Sequence, residues 1–130
     1  MNKSYLKVII YFFTLSFSLS QFSSSLKTAR MYEINKDWDG AISIYKDIID
    51  KNANNFQAIR NLKNIYKKSQ RYGEGIIFLR YYLNQNPRDV QLYLELGEFY
   101  YLNEDIEKAK KIWFEGFNKF KNNKSYYRIL

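Results

Sequence analysis

Laid over itself so that Tyr32 falls on Tyr66 and Tyr66 on Tyr100, the chain agrees with itself in several columns at once. No gap is needed, and Ala41, Gly75 and Ala109 superpose at the same offset. Tyr45, Leu79 and Trp113 form a third column, Ile44, Phe78 and Ile112 a fourth, and Trp38, Tyr72 and Ile106 a fifth. Leu62 matches Leu96 and the series continues to Leu130, while Tyr93 matches Tyr127. A period of this order marks a supersecondary unit that cannot bury its apolar face alone and must stack on its neighbours. The chain is thereby restricted to a repeat architecture in which each unit contacts the next.

Within each period the pattern is helical. Ala41, Ile44, Tyr45, Ile48 and Ile49 stand at i, i+3, i+4, i+7 and i+8, the spacing of one buried helix face. Ala109, Ile112, Trp113, Gly116 and Phe117 follow the same spacing two repeats later. With only five Gly and one Pro, the chain lacks the turn density of a β-sandwich or barrel. The expected helices are 22–35, 56–69 and 90–102, each followed by a second at 38–51, 72–85 and 105–120. The small residues Ala29, Gly97, Ala41, Gly75 and Ala109 are expected where two helices approach closely. Asn35-Lys36-Asp37, Ser69-Gln70-Arg71 and Asn103-Glu104-Asp105 occupy equivalent turns, where Asn, Ser and Asp stop one helix and cap the next. Asn86-Pro87 separates the second repeat from the third, because the residue before Pro disfavours helix.

These columns resemble the tetratricopeptide repeat, whose pattern runs W-x2-L-G-x2-Y, then A-x3-F, then P. The third copy carries Tyr93, Leu96, Gly97 and Tyr100, then Ala109 and Trp113; the second carries Ile59, Leu62 and Tyr66, then Gly75, Leu79 and Pro87. The first is degenerate, with Ala29 and Tyr32, then Ala41 and Tyr45. Lys63 stands where the family prefers a small residue and Lys121 where it prefers Pro. The resemblance implies an all-α solenoid of antiparallel helix-turn-helix repeats at 22–55, 56–89 and 90–123 within a 21–123 domain. Residues 124–130 are expected to begin a fourth repeat or a shortened capping helix, so three repeats is a minimum; a longer gene product is expected, the alternative being another subunit over the exposed end.

The first twenty residues are of another kind. Lys3 and Lys7 precede an apolar run from Val8 to Leu19, and no acidic residue occurs before Glu33. Ser18 and Ser20 supply small residues at the −3 and −1 positions of a cleavage before Gln21, the layout of a secretory signal peptide. The alternatives are an uncleaved membrane anchor or a buried first helix, but Val8 to Phe22 falls short of the roughly 20 residues that span a bilayer. The expectation is a signal peptide at 1–20, export to the periplasm or envelope, and a mature chain whose charge falls from +8 to +6 on loss of Lys3 and Lys7. A lipid-anchored form is excluded because the chain has no cysteine.

The absence of Cys and His removes thiolate nucleophiles, imidazole bases and the usual zinc ligands, so no enzyme, metal or cofactor is expected. From Lys51 to Gly73 there are six basic residues and no acid. The resemblance implies a concave groove lined by the first helix of each repeat. The positions it assigns there are Arg30, then Arg60, Asn64, Lys67 and Lys68, then Gln91, Leu94, Glu98 and Tyr101. Such a groove is expected to take a protein segment with acidic residues followed by apolar or aromatic ones; the alternative is an ordinary solvated helix face. Some family members clamp a C-terminal carboxylate with a Lys and two Asn, plus a further Lys and Arg. Asn64 and Arg60 imitate part of that set, but Glu95 stands where the next Asn is required, so a clamp is not expected. The basic, tyrosine-rich composition also fits nucleic acid, but export and the packing role of the tyrosines argue against it. A membrane is expected to matter only through the leader. The implied role is an exported scaffold or adaptor in an envelope complex. The alternatives are the docking arm of a larger protein whose downstream domain carries the activity, or a scaffold held at the membrane by an uncleaved leader.

Overall fold

The computed structural model describes residues 7, 8, 10–12 and 25–121. The cleavage position and the start of a fourth repeat lie outside the described residues. All regular structure among those residues is helical. Residues 7, 8 and 10–12 have helical backbone, and residues 25–34 form α1. There follow α2 (Trp38–Lys51), α3 (Phe56–Lys68), α4 (Tyr72–Gln85), α5 (Val90–Leu102) and α6 (Ile106–Phe120). The expected bounds agree closely with these, because the turns between helices are fixed by local chemistry.

That chemistry recurs once per repeat. Lys36, Gln70 and Glu104 adopt left-handed backbone with φ of 57°, 58° and 62°. Their N–H groups donate to the carbonyls of Glu33, Lys67 and Tyr101 at 3.0, 3.1 and 3.0 Å. The next N–H groups, of Asp37, Arg71 and Asp105, reach back to the carbonyls of Tyr32, Tyr66 and Tyr100, each at 2.9 Å. This is the Schellman arrangement, which satisfies carbonyls left open at a helix end. The tyrosine column therefore also supplies the carbonyl that closes each turn. The following helix is then capped by side chains where the sequence allows it. The Asp37 carboxylate accepts from the Gly40 N–H at 2.9 Å and that of Asp105 from the Lys108 N–H at 3.3 Å. Arg71 occupies the equivalent position of α4 and makes no side-chain cap, so the expectation of a capping side chain at every turn fails there.

The chain divides into two compact units, Met1–Ile65 and Tyr66–Leu130. In the first, Ala29 of α1, Ala41, Ile42, Tyr45, Ile48 and Ile49 of α2, and Ala58, Leu62 and Ile65 of α3 are buried. Tyr32 is partly exposed and its ring lies against Gly40, where any Cβ would overlap it. In the second unit, Gly75 of α4 receives the Phe99 ring of α5, and Gly97 of α5 receives the Trp113 indole of α6; a Cβ at either glycine would overlap those rings. The Trp113 indole N–H donates to the Leu94 carbonyl at 3.1 Å, fixing α6 to α5 by a specific bond. Around this contact Tyr93 stacks edge-on with Phe120 at 5.7 Å, and its hydroxyl donates to the Pro87 carbonyl at 3.2 Å. Small residues paired with large aromatics thus carry the close approaches, as the column of Ala41, Gly75 and Ala109 implied.

At the start of α6 the i,i+4 spacing of the sequence offers Glu104 with Lys108 and Glu107 with Lys111, but other partners are taken. Lys108 pairs with Asp105 at 2.5 Å and Lys110 with Glu107 at 2.9 Å, both one position closer in sequence. Asp105 already sits at the helix start as its cap, so Lys108 finds both carboxylate and backbone contact at a single residue.

Candidate peptide-binding face

In the first unit, three helices meet at one phenol. Tyr45 of α2 is fully buried, and its hydroxyl donates to Glu33 of α1 at 2.6 Å while accepting from the Asn61 amide of α3 at 3.0 Å. Burial, and then the Glu33 carboxylate, push the Tyr45 phenol up to about 12. Arg30 lies near enough to oppose that shift electrostatically. The consequence is positional. Arg30 is one turn before Glu33 on α1, while Arg60 and Asn64 flank Asn61 on α3, so the phenol ties down the helix segments bearing all three. Arg30, Arg60 and Asn64 are exposed.

In the second unit, Lys68 ends α3 exposed, whereas Lys67 is half-buried. Its ammonium donates to the Glu98 carboxylate of α5 at 2.6 Å and stands 5.5 Å over the Phe99 ring. The two expected groove residues Lys67 and Glu98 are therefore brought together, and part of the basic stripe is neutralised from α5. Gln91 is exposed at the start of α5, where its N–H donates to the capping Asp89 carboxylate at 2.9 Å. Tyr101 is 55% exposed, its ring tilted against Trp113 at 6.2 Å.

Leu94 departs from expectation. It is only 9% exposed and takes part in the core, its carbonyl holding the Trp113 indole. Its assignment to the groove rests on transfer from Arg60, its equivalent in the preceding repeat. The transfer fails because α5 buries Leu92, Tyr93, Leu94, Leu96, Gly97, Phe99 and Tyr100, leaving a much narrower free face than α3. Sequence reasoning does not single out Trp113 or the Glu33–Tyr45–Asn61 set as site residues. The only signal for either is aromatic identity in a repeat column.

The exposed groups are donors and cations suited to carboxylates, with one aromatic platform at Tyr101. Among the described residues, no cluster of acidic groups is disposed to hold a metal ion, and no helix is long and apolar enough to cross a membrane.

No family model matches the chain, and no curated protein matches it by sequence. Its fold is that of the all-α solenoid of antiparallel tetratricopeptide hairpins. It is similar to the yeast Sti1 TPR2B domain in its pHsp70 complex, with TM-score 0.58, 15% identity, and 85% of this chain and 90% of that one covered. It is similar to the first TPR of Spaghetti (RPAP3) bound to the HSP90 peptide SRMEEVD, with TM-score 0.57, 17% identity, and coverage of 85% and 88%. A crystal structure of MamA gives TM-score 0.58 and 18% identity over 75% of this chain, which spans 53% of the MamA chain. At such identities the likeness establishes the fold.

Proposed function

We propose that this chain is an exported scaffold that binds an acidic protein segment through the exposed face of α3. The observation that carries this reading is the run from Lys51 to Gly73, six basic residues with no acid, of which Arg60 and Lys68 stand exposed on α3 beside the exposed amide of Asn64. Guanidinium and ammonium groups held on a helix whose rotation is fixed by burial of Ala58, Leu62 and Ile65 recognise carboxylates with little ordering cost. The SRMEEVD peptide in the RPAP3 structure contains adjacent acids, which supports the same ligand chemistry on a similar fold. Within the second unit, Tyr101 beside Trp113 offers an exposed aromatic surface of its own. The leader at 1–20 sends the protein to the periplasm or envelope in this reading, and the role is binding and assembly, with no chemical step.

The test is capture of the partner by wild type and by two double reversals. Arg60→Glu with Lys67→Glu also sets like charges beside Glu98, so Arg60→Glu with Lys68→Glu is the cleaner pair. Both are expected to lose the partner at least tenfold while keeping the helical circular dichroism. Capture that survives the second pair would refute the reading.

A further inference from the structure

The outward face of α4 is apolar where the repeat makes it polar elsewhere. The inward face of this helix buries Gly75, Ile76 and Leu79. Directly opposite run Gly73, Ile77 and Tyr81, one turn apart, and Ile77 is 72% and Tyr81 62% exposed. A helix with one buried stripe normally carries polar residues on the opposite side. The repeat supplies its own control, since the positions of Ile77 and Tyr81 are Ser43 and Asp47 in α2, and Lys111 and Glu115 in α6. Within its own chain the Tyr81 ring meets the neighbouring Tyr82 ring edge-on at 5.6 Å, and both Tyr81 and Ile77 otherwise face outward.

Gly73 is equally out of pattern. Its equivalents are Asp39 and Glu107, and unlike Gly40, Gly75 and Gly97 it admits no side chain from its own chain: nothing lies within 4 Å of where its Cβ would be. Within a helix such a glycine is less favourable than alanine. What it creates is a bare hollow one turn before Ile77, while Tyr81 makes a projecting ring one turn after it. The stripe thus reads hollow, centre, knob.

That order is its own complement when reversed. We propose that α4 docks against α4 of a second copy of this chain, antiparallel about a two-fold axis beside Ile77. Ile77 then meets Ile77 of the other copy, and each Tyr81 ring enters the hollow over the other copy's Gly73. The stripe is a row of residues four apart, and interdigitating two such rows is the commonest mode of helix packing. Contact of one patch with the same patch is the isologous interface of a closed dimer. Glu74 on one side and Arg80 with Asn84 on the other make a polar rim. The contact is one helix wide, so the dimer is weak and concentration-dependent. It is independent of the peptide-binding proposal, which uses other helices.

The chain has no cysteine, which allows a clean geometric test. Under mild oxidation, Ile77→Cys is expected to give a covalent dimer. Gly73→Cys and Tyr81→Cys should each give little alone, because in the antiparallel pair like positions lie about 12 Å apart along the axis, beyond disulfide reach. Mixed together, those two variants should cross-link. Sedimentation of the unmodified full chain should show dimer growing with concentration. Ile77→Lys with Tyr81→Asp, residue types that α6 and α2 carry at these positions, should leave a monomer with unchanged circular dichroism. A chain that stays monomeric throughout, a dimer that survives the double substitution, or Gly73→Cys alone cross-linking as well as Ile77→Cys would each overturn the proposal. So would a monomer that binds anionic phospholipid vesicles through Ile77 and Tyr81, which would give the face to a membrane.

Discussion

Tyr45 and Tyr66 are both fully or nearly fully buried phenols, pushed by burial up to about 12 from an ordinary 10.0. In each case the fold favours the neutral form. Their contribution to stability is therefore complete below pH 10, the unfolded value, and is lost as the pH rises from 10 towards 12. Tyr45→Phe keeps the ring but removes the bonds to Glu33 and Asn61. It is expected to cost about 1–2 kcal/mol at neutral pH and to flatten the fall of melting temperature across that alkaline window. A fall as steep as that of wild type would count against the assignment. At Gln70 the strain is conformational. A left-handed φ of 58° is unfavourable for a residue with a Cβ, so Gln70→Gly should stabilise by about 1 kcal/mol, read from urea unfolding. No stabilisation would mean that the Gln70 side chain contributes a compensating contact.

At the scale of the elements, the glycines separate into two kinds. Gly97 is required by the Trp113 indole, and Gly73 faces open space. Gly97→Ala should destabilise by about 1–3 kcal/mol through overpacking, although alanine is the better helix former. Gly73→Ala should stabilise the dilute chain by about 0.5–1 kcal/mol. Equal effects in thermal melts would show that the α5–α6 contact adapts. The helices and their turns are legible in the sequence because small, aromatic and capping residues recur at one offset. The free faces are less so. Sequence reasoning misplaces Leu94 because α5 is apolar around most of its circumference, and periodicity loses direction when nearly every position is apolar. Ile77 and Tyr81 escape notice for the same reason, since apolar residues on α4 read as core until exposure separates its two sides.

For the whole molecule, the excess of charge is +8 and is concentrated by sequence position, not spread evenly. From Lys51 to Gly73 the basic residues have no acid among them in sequence, though Asp47 pairs with Lys51, Glu74 with Arg71 and Glu98 with Lys67. Binding of an acidic segment should accordingly weaken as salt is raised, since exposed charges more than about 10 Å apart are screened at 0.1 M ionic strength. Titration of the captured segment at rising salt checks this, and an affinity indifferent to salt would point to apolar contacts instead. What the sequence conveys at this scale is the solenoid class and the clustering of cations along α3. It does not convey which cations stay exposed, because that depends on side chains reaching across from another helix, as Glu98 of α5 does to Lys67 of α3. The fit of the Trp113 indole against Gly97 has one more consequence. The chain's two tryptophans fall one in each unit, Trp38 in Met1–Ile65 and Trp113 in Tyr66–Leu130. Each half of the protein therefore carries its own built-in fluorophore. Replacing either leaves an emission signal that belongs to one half alone, so the unfolding of the two halves can be followed separately without attaching a label.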